Sequence, residues 1–286
     1  MSTGTDPAHS VRSWLRAHRR LPRLDCELLL CHRLGLSRAQ VMAAPERIID
    51  AAALSTLESL AARLQEGEPL AYVLGEREFW GLSLRVTPDV LIPRPETETL
   101  VELALPLVNS GDRVLDLGTG SGAIAIALAK SLTLEVWASD VSPAALKVAA
   151  DNAGRHNAPV TFFESDWFEQ VPGRFHLIAA NPPYVAADDP HLPGLRHEPK
   201  GALVSGAEGM DDLARIIGSA DSFLHPGGWL LVEHGWNQKR PVTDCFLRQG
   251  YCEVATRQDL AGLDRVTFGR KAYPVTAGEL RGSDET

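Results

Sequence analysis

The sequence predicts an α/β protein with a mostly parallel, doubly wound sheet, preceded by a small helical bundle. Two observations support this prediction. From Asp112 onwards, short apolar runs alternate with segments of helical periodicity, which is typical of a parallel sheet with helices on both faces. From Ser10 to about Gln65, leucines and alanines recur at helical spacing, which predicts four or five short helices.

The helical region is expected to form a separate N-terminal domain over residues 1–75. Its pattern is interrupted near Pro22, Gly35 and Pro45, and its last long helix is predicted at 51–65. No residue in it forms a catalytic constellation. Two roles stay open for this domain: a structural cap on the larger domain, or a grip on a macromolecular partner.

A turn at residues 66–69 is the predicted hinge to the second domain, residues 76–286. Residues 79–92 alternate in strand fashion around Thr87-Pro88-Asp89, which predicts a connecting β-hairpin at the start of this domain. The segment that follows contains Arg94 between two prolines, and Pro95 is well placed to begin a helix. Arg94 could fix a loop over the active site or lie on the surface.

The rest of the second domain alternates regularly. Strands are predicted at 113–117, 134–139, 159–163, 176–180, 228–233 and 265–269, and helices at 121–131, 143–155 and 210–225. The stretch 184–209 is too long for a simple crossover, and long irregular loops are often functional. Residues 1–8 are expected to be disordered, and a polar tail is expected from about residue 272.

A glycine-rich turn, Asp116-Leu117-Gly118-Thr119-Gly120-Ser121-Gly122, follows the first of these strands and leads into a helix. Glycines allow close approach of a ligand and positive φ, and the helix offers unpaired N–H groups at the positive end of its dipole. The glycine spacing differs from the dinucleotide fingerprint. A carboxylate at Asp116 could neutralise an ammonium group, which S-adenosylmethionine has and NAD lacks.

Acidic residues follow the next two strands. Asp140 is placed to accept hydrogen bonds from both hydroxyls of a ribose, and Asp166 could accept from an adenine amino group. Trp167 offers a flat apolar face. Each aspartate alone could be a helix cap, but three such features at successive strand ends predict a nucleoside site.

The motif Asn181-Pro182-Pro183-Tyr184 follows the apolar run 176–180 at the carboxyl edge of a buried strand. Two prolines fix φ and donate no N–H, so they hold nearby carbonyls in place as free acceptors. With the Asn181 oxygen and the Tyr184 ring, these carbonyls suit an –NH2 group on a planar carbonyl or ring. The alternative is an ordinary strand-to-loop turn.

Composition narrows the function classes. Residues 1–75 carry nine arginines against eight acidic residues, whereas the remainder carries 19 basic against 29 acidic residues and gives the net charge of −9. So acidic a catalytic region counts against a nucleic-acid substrate. No apolar run is long enough for a membrane span, no signal peptide is predicted, and the four cysteines lack disulfide or zinc spacing, which favours a cytoplasmic protein.

Together these motifs resemble class I S-adenosylmethionine-dependent methyltransferases, Rossmann-like enzymes that modify planar –NH2 groups. More narrowly, residues 70–270 resemble the HemK/PrmC-type family. Further stretches that carry this resemblance are Arg77-Glu-Phe-Trp-Gly-Leu82, Leu91-Ile-Pro-Arg-Pro-Glu-Thr-Glu98, Pro226-Gly-Gly-Trp-Leu-Leu-Val-Glu-His-Gly235 and Asp259-Leu-Ala-Gly262. Asn-Pro-Pro-Tyr alone is shared with adenine-N6 DNA methyltransferases, but its combination with Ile-Pro-Arg-Pro-Glu-Thr-Glu is not. His197 departs from the pattern, where an aromatic residue is expected.

The resemblance implies methyl transfer from S-adenosylmethionine to N5 of the glutamine in the Gly-Gly-Gln motif of peptide-chain release factors, which modulates translation termination. The implied binding residues for S-adenosylmethionine are Gly118, Thr119, Gly120, Ser121, Gly122, Asp140, Trp167 and Asn181. The implied substrate-binding residues are Asn181, Pro182, Pro183 and Tyr184, of which Asn181, Pro182 and Tyr184 are catalytic. The helical domain would hold the release factor, and no metal, membrane or direct nucleic-acid contact is expected.

Rival interpretations use the same acceptor cluster. One is an adenine or guanine N-methyltransferase that acts after base flipping. Another is a ribosomal-protein glutamine methyltransferase, which differs mainly in its partner. A binding module without chemistry is disfavoured by the intact Asn181–Tyr184 motif, and a nicotinamide oxidoreductase is disfavoured by the glycine spacing.

Overall fold

The computed structural model describes residues 9–273 and divides the chain into two compact units, Met1–Glu76 and Arg77–Thr286. The predicted disorder at 1–8 lies outside the described residues, as does the predicted polar tail beyond Tyr273. Each unit has a hydrophobic core of its own.

The first unit is helical, as the spacing of leucines and alanines predicts. It contains α1 (Val11–Ala17), α2 (Arg23–Leu34), α3 (Arg38–Ala43), α4 (Ala51–Gln65) and α5 (Leu70–Leu74). Ser10, Ser37 and Asp50 cap the N-termini of α1, α3 and α4 by accepting backbone N–H groups. Gly35 ends α2 in the left-handed conformation. The apolar faces of these helices form one core, in which Leu29, Leu30 and Leu57 are fully buried.

The hairpin is shorter and earlier than predicted. Its strands are β1 (Glu76–Phe79) and β2 (Leu82–Arg85), and its turn is Trp80–Gly81, where φ is 54° and 71°. Two positive φ values in succession suit a tight two-residue turn. The prediction of a hairpin over 79–92 around Thr87-Pro88-Asp89 was therefore wrong. The Thr87 hydroxyl instead bonds Asp89 in a local turn outside both strands.

The second unit then alternates helices and strands. Its elements are α6 (Glu98–Ala104), β3 (Arg113–Leu117), α7 (Ala123–Ser131), β4 (Glu135–Asp140), α8 (Pro143–His156), β5 (Val160–Glu164), β6 (Phe175–Ala180), α9 (Asp211–Ser219), β7 (Leu224–Glu233), α10 (Lys239–Arg248), β8 (Cys252–Gln258) and β9 (Asp264–Arg270). All six predicted strands are present. A 3-10 turn, Pro95–Thr97, precedes α6, so the helix start predicted at Pro95 is confirmed.

Strand β8 and helix α10 were not predicted. β8 lies at one edge of the sheet and most of its residues are exposed, so its sequence lacks a buried apolar face. Pro241 lies in the first turn of α10, where proline is tolerated, although it suggests a break in the sequence pattern.

The seven strands form one sheet in the order β5-β4-β3-β6-β7-β9-β8. The first five are parallel, and β9 runs antiparallel to both of its neighbours. Successive residues of β6 belong alternately to two cores, since Leu177 packs with α6, α7 and α8, and Ile178 packs with α9 and α10. The predicted doubly wound, mostly parallel sheet is confirmed.

The register places the carboxyl ends of the central strands at one level. Leu117 of β3 pairs with Ser139 of β4 and with Ala180 of β6, and Ala180 pairs in turn with Val232 of β7. The residues that follow each strand therefore meet at the same edge of the sheet. This edge carries the candidate site.

Candidate active site

A cavity of about 380 Å³ opens at this edge. Its size is within the range of small-molecule sites. Eight of the predicted site residues line it: Gly118, Thr119, Gly120, Ser121, Asp140, Trp167, Asn181 and Pro183. The predicted residues Gly122, Pro182 and Tyr184 do not line it.

Asp116 braces the glycine turn from below. It is fully buried, and its Oδ2 accepts from the Thr119 hydroxyl at 2.6 Å and from the Ala125 N–H at 3.2 Å. Burial raises the pKa of its carboxyl group to about 7, against the opposing effect of those two hydrogen bonds. Asp116 does not line the cavity, and its Oδ1 has no hydrogen-bond partner among the described residues. Its observed contacts fix the turn, and the contact with an ammonium group stays a prediction.

Gly118 and Gly122 are glycines for different structural reasons. A Cβ at Gly118 would lie 3.2 Å from the Trp167 ring, so glycine lets the ring approach the turn. A Cβ at Gly122 would lie 2.9 Å from Ile126 and 3.2 Å from Ala149, at a φ of 85°. Gly122 therefore permits close packing of α7 against α8, which is a structural need, whereas its prediction as a cofactor residue rested on the motif.

Asp140 connects the turn to the next strand. Its Oδ2 accepts from the Gly120 N–H and its Oδ1 from the Ser142 N–H, both at 2.9 Å. Burial raises the pKa of this carboxyl group, while the backbone N–H groups oppose the shift. Asp140 lines the cavity, and a carboxylate has about four acceptor sites, so it can accept further hydrogen bonds there.

Trp167 and Asp166 are held by helix α9. The Trp167 Nε1 donates to Asp212 at 2.9 Å, and Arg215 donates to Asp166 at 2.6 Å. Trp167 also has a φ of 47°, which orients its ring over Gly118. Both residues line the cavity. Asp166 forms an ion pair with Arg215. Its predicted role as an acceptor for an adenine amino group would come in addition to this ion pair.

Asn181 and Tyr184, which are half-buried, each bond one buried side chain from a distant segment. The Nδ2 of Asn181 donates to the Thr97 hydroxyl oxygen at 3.1 Å. Thr97 is also near Glu233, since it lowers the pKa of the Glu233 carboxyl group. The Oε1 of Glu233 accepts from the Tyr184 hydroxyl at 3.1 Å. Thr97 and Glu233 are both buried.

Burial is the largest influence on the pKa values of Glu233 and Tyr184. It raises the pKa of Glu233 to about 7, and Thr97, the charge of Arg265 and the hydrogen bond from Tyr184 act in the opposite direction. Burial and the Glu233 charge raise the pKa of Tyr184 as well. The Tyr184 hydroxyl is thus held protonated, and it donates to Glu233.

The main chain of Tyr184 is fixed separately. Its carbonyl accepts from Gln238 Nε2 at 3.1 Å, and the same nitrogen reaches the Gly209 carbonyl at 3.2 Å. Gly209 has a φ of 72°, and a Cβ there would lie 2.2 Å from the Tyr184 carbonyl oxygen. Pro182, between Asn181 and Tyr184, is buried. The Asn-Pro-Pro-Tyr segment is therefore held from both ends.

Arg94 lines the cavity and forms an ion pair with the buried Glu198. Glu198 also accepts from the Ile92 N–H at 3.1 Å. Of the two interpretations of Arg94, the structure supports the one in which it fixes a loop at the site, since Glu198 belongs to the 184–209 stretch. Pro199 and Gly201 of this stretch line the cavity as well.

Sequence reasoning missed Thr97, Glu233, Gln238 and Asp212 as parts of the site. Thr97 and Glu233 lie inside stretches that carry the family resemblance, and that was the only signal for them. Within residues 9–273, no group of three or more metal-ligating side chains is placed to hold an ion. Among the same residues, we find no helix with the length and apolar character of a membrane span.

This site and sheet define a class of protein: methyltransferases of the Rossmann-like fold. A family model described as "Methyltransferase small domain" matches residues 97–193, and one described as "PrmC N-terminal domain" matches residues 9–75. Among solved structures, a methyltransferase from Pyrococcus furiosus has a TM-score of 0.55 at 19% identity and covers 75% of this chain and 99% of its own. The hMettl16 catalytic domain, solved with an RNA hairpin, has a TM-score of 0.58 at 16% identity and covers 77% of this chain and 82% of its own. At such identities the likeness shows the fold alone.

Curated relatives are far more similar in sequence. A release factor glutamine methyltransferase of Vibrio cholerae is 48% identical over 258 residues, 87% of this chain and 90% of the relative. One of Burkholderia pseudomallei is 44% identical over 279 residues, 93% of this chain and 98% of the relative. The chain belongs to the family of release factor glutamine methyltransferases.

Proposed function

We propose that the cavity binds S-adenosylmethionine and that the enzyme methylates N5 of the glutamine in the Gly-Gly-Gln motif of a peptide-chain release factor. The observation that carries the proposal is the placement of the glycine turn, Asp140 and Asn181 at level strand ends of one edge. It puts nucleoside-binding groups and an amide acceptor in one cavity. The names of the relatives supply the substrate class.

The residues present fit S-adenosylmethionine. Gly118 leaves room for the Trp167 ring beside the turn, and that ring offers a flat face for an adenine. Asp140 retains acceptor capacity for ribose hydroxyls. The backbone N–H groups of Thr119, Gly120 and Gly122 are used within the protein, so the turn is held rigid, and its residues Gly118 to Ser121 line the cavity. When bound, S-adenosylmethionine supplies an electrophilic methyl group on its sulfonium sulfur.

Asn181 then has a defined task. An amide nitrogen is a poor nucleophile because its lone pair is delocalised into the carbonyl. Since Asn181 Nδ2 donates to Thr97, its Oδ1 is the atom free to accept an N–H of the substrate amide. The Pro182 carbonyl is the second proposed acceptor. These oxygens hold the nitrogen and stabilise the positive charge that develops on it in the transition state.

Tyr184 and the prolines supply rigidity. The prolines fix the backbone of the acceptor segment, and Gln238 and Glu233 fix Tyr184 by its carbonyl and its hydroxyl. We assign the Tyr184 ring to packing on the flat substrate amide. Orientation of a bound pair can contribute several kcal/mol relative to a bimolecular encounter. No general base is required before transfer, because the amide proton becomes acidic only afterwards.

We place the enzyme in the cytoplasm. We also assign the helical unit to binding the body of the release factor. The composition supports this assignment, because the unit is nearly neutral, whereas the catalytic region is acidic. Such a charge distribution favours a protein partner over a polyanion.

The test is transfer of labelled methyl groups from S-adenosylmethionine to purified release factor. Release factor with a Gln→Ala change in its Gly-Gly-Gln motif is the matched control, and duplex DNA and ribosomal protein are assayed in parallel. We expect label on wild-type release factor only. Label on the Gln→Ala factor, on DNA or on ribosomal protein would contradict the proposed substrate.

A further inference from the structure

We infer that Thr97 and Glu233 are positioning residues that fix which end of the Asn181 amide faces the substrate. The inference rests on the proposed function, because the orientation matters to catalysis only if Asn181 Oδ1 accepts from the substrate amide. It assigns a task to two buried side chains, of which Thr97 lines the cavity and Glu233 does not.

The reason is a property of amides. A side-chain amide has nearly the same shape after a 180° flip, but the flip exchanges an acceptor for two donors. With Nδ2 toward the cavity, Asn181 would oppose a substrate –NH2 group with another –NH2 group. The shape of the pocket does not exclude that orientation. A hydrogen-bond partner of the Asn181 amide is therefore needed to exclude it.

Thr97 is that partner. Its hydroxyl oxygen lies 3.1 Å from Asn181 Nδ2. A hydroxyl can donate one hydrogen bond and accept others, so by itself Thr97 would tolerate either orientation of the Asn181 amide. The direction of the Thr97 proton decides between them.

Glu233 determines that direction. A carboxylate only accepts hydrogen bonds, and Thr97 is close enough to Glu233 to lower the pKa of its carboxyl group. Oε2 of Glu233 is buried and has no hydrogen-bond partner among the described residues. We take this unsatisfied acceptor as the group toward which the Thr97 proton turns. With its proton toward Glu233, Thr97 can only accept from the Asn181 side, and the group facing it must be –NH2. Oδ1 is then turned to the substrate.

The strand register explains how Asn181 and Glu233 come to lie close together. Ala180 pairs with Val232 in the parallel register of β6 and β7, so Asn181 and Glu233 leave neighbouring strands at the same level. Thr97 ends the 3-10 turn Pro95–Thr97 and is buried, as is Glu233. Buried polar groups without water depend on their protein partners.

Protonation of Glu233 changes this order. The protonated carboxyl group gains an O–H that can donate to Thr97 and release the Thr97 proton toward Asn181. The groups that face Glu233 are Tyr184, which donates to it, Thr97, Arg265 on β9, and Glu96 on the 3-10 turn. Burial raises the Glu233 pKa to about 7, so turnover should decline as the pH falls through about 7.

The test compares four variants in the full chain. Thr97→Val removes the acceptor for Asn181, and Glu233→Gln introduces an –NH2 group that can donate to Thr97. Thr97→Ser keeps the hydroxyl group and serves as the conservative control. Thr267→Val is the matched control. Thr267 is also a buried threonine, and it lies on β9 in the sheet that contains Glu233. It bonds His234 and Thr256 and not Asn181.

Two readouts are combined. Steady-state kinetics with release factor should give a roughly tenfold or larger loss of kcat for Thr97→Val and Glu233→Gln, with KM for release factor within about twofold. The decline of kcat below pH 7 should disappear in Glu233→Gln. Thr97→Ser and Thr267→Val should retain wild-type kcat within about threefold.

The second readout is independent of the substrate. The NMR side-chain amide peaks of Asn181, assigned by their loss in Asn181→Ala, should move in Thr97→Val and Glu233→Gln but not in Thr267→Val. Unmoved peaks with normal kcat in both variants would overturn the inference, as would equal losses in Thr97→Val and Thr267→Val. Shifted peaks in an enzyme that does not methylate release factor would keep the inference about orientation and overturn the proposed function.

Discussion

The two halves of the cavity are built differently. The cofactor half, made of the glycine turn and Asp140, is held mostly by backbone N–H groups and by contacts between residues close in sequence. The acceptor half is held by side chains from distant segments: Asn181 bonds Thr97, 84 positions away, and Tyr184 bonds Glu233, 49 positions away. A backbone-based site depends on conformation, whereas a site based on side-chain contacts depends on each partner. Single substitutions should therefore separate binding from turnover.

The largest expected effect is on turnover in the acceptor half. Asn181→Ala removes the oxygen that holds the substrate nitrogen, and we expect kcat to fall by about two orders of magnitude or more. Titration calorimetry should show cofactor affinity within about threefold of wild type, because the turn and Asp140 are unchanged. Near-normal turnover by this variant would refute the role of Asn181.

The next largest effect is on binding in the cofactor half. Asp140→Ala removes the acceptor for ribose hydroxyls and releases the N–H groups of Gly120 and Ser142. We expect the Kd for S-adenosylmethionine to rise roughly 10- to 100-fold, because one charge-assisted hydrogen bond contributes about 1.5–3 kcal/mol. At saturating cofactor, kcat should change only a few-fold. Unchanged affinity would show that Asp140 has no contact with the ligand.

A smaller effect should appear in the support of Tyr184. Gly209→Ala places a Cβ against the Tyr184 carbonyl at a φ of 72°. Gly250→Ala is the matched control, because its φ is 80° but no atom lies within 4 Å of the added Cβ. We expect Gly250→Ala to lose about 1 kcal/mol of the free energy of unfolding and Gly209→Ala about 1–3 kcal/mol more. Equal losses in denaturant titrations would contradict the clash.

The smallest effect, taken per pH unit, is a pH dependence of stability. The folded pKa of Asp116 is raised to about 7, so folding keeps a proton that the unfolded chain releases above about pH 4. The free energy of unfolding should therefore fall as the pH rises from about 4 to about 7, with a slope of at most about 1.4 kcal/mol per pH unit from this group. Asp116→Asn should make the slope shallower. An unchanged slope would show that Asp116 is ionised in the folded protein.

The cofactor half and the acceptor half of the cavity also differ in how far they could be predicted from the sequence. The cofactor half was predictable because its residues form one contiguous turn and follow predicted strands, and the order of the elements brings those strand ends together. Gly122 was placed correctly in the turn, but its contact with Ala149 depends on the packing of two helices, which the motif does not specify.

The acceptor half was only partly predictable. Asn181 was evident from its motif, but its contacts with Thr97 and its link to Glu233 depend on strand order and on the position of the turn before α6. The hairpin was misplaced for a similar reason: Thr87-Pro88-Asp89 is a turn by local chemistry, yet the strands pair around Trp80–Gly81. Local patterns predict elements, but the contacts between distant elements come from the fold.

The most direct test of the separation between the two halves is the double variant Asp140→Ala/Asn181→Ala. Asp140 and Asn181 share no hydrogen-bond partner among residues 9–273. We measure cofactor Kd and kcat for the wild type, both single variants and the double variant. We expect additive free energies within about 0.5 kcal/mol, with the double variant binding like Asp140→Ala and turning over like Asn181→Ala. A coupling energy of about 1.4 kcal/mol or more, a tenfold departure, would contradict it.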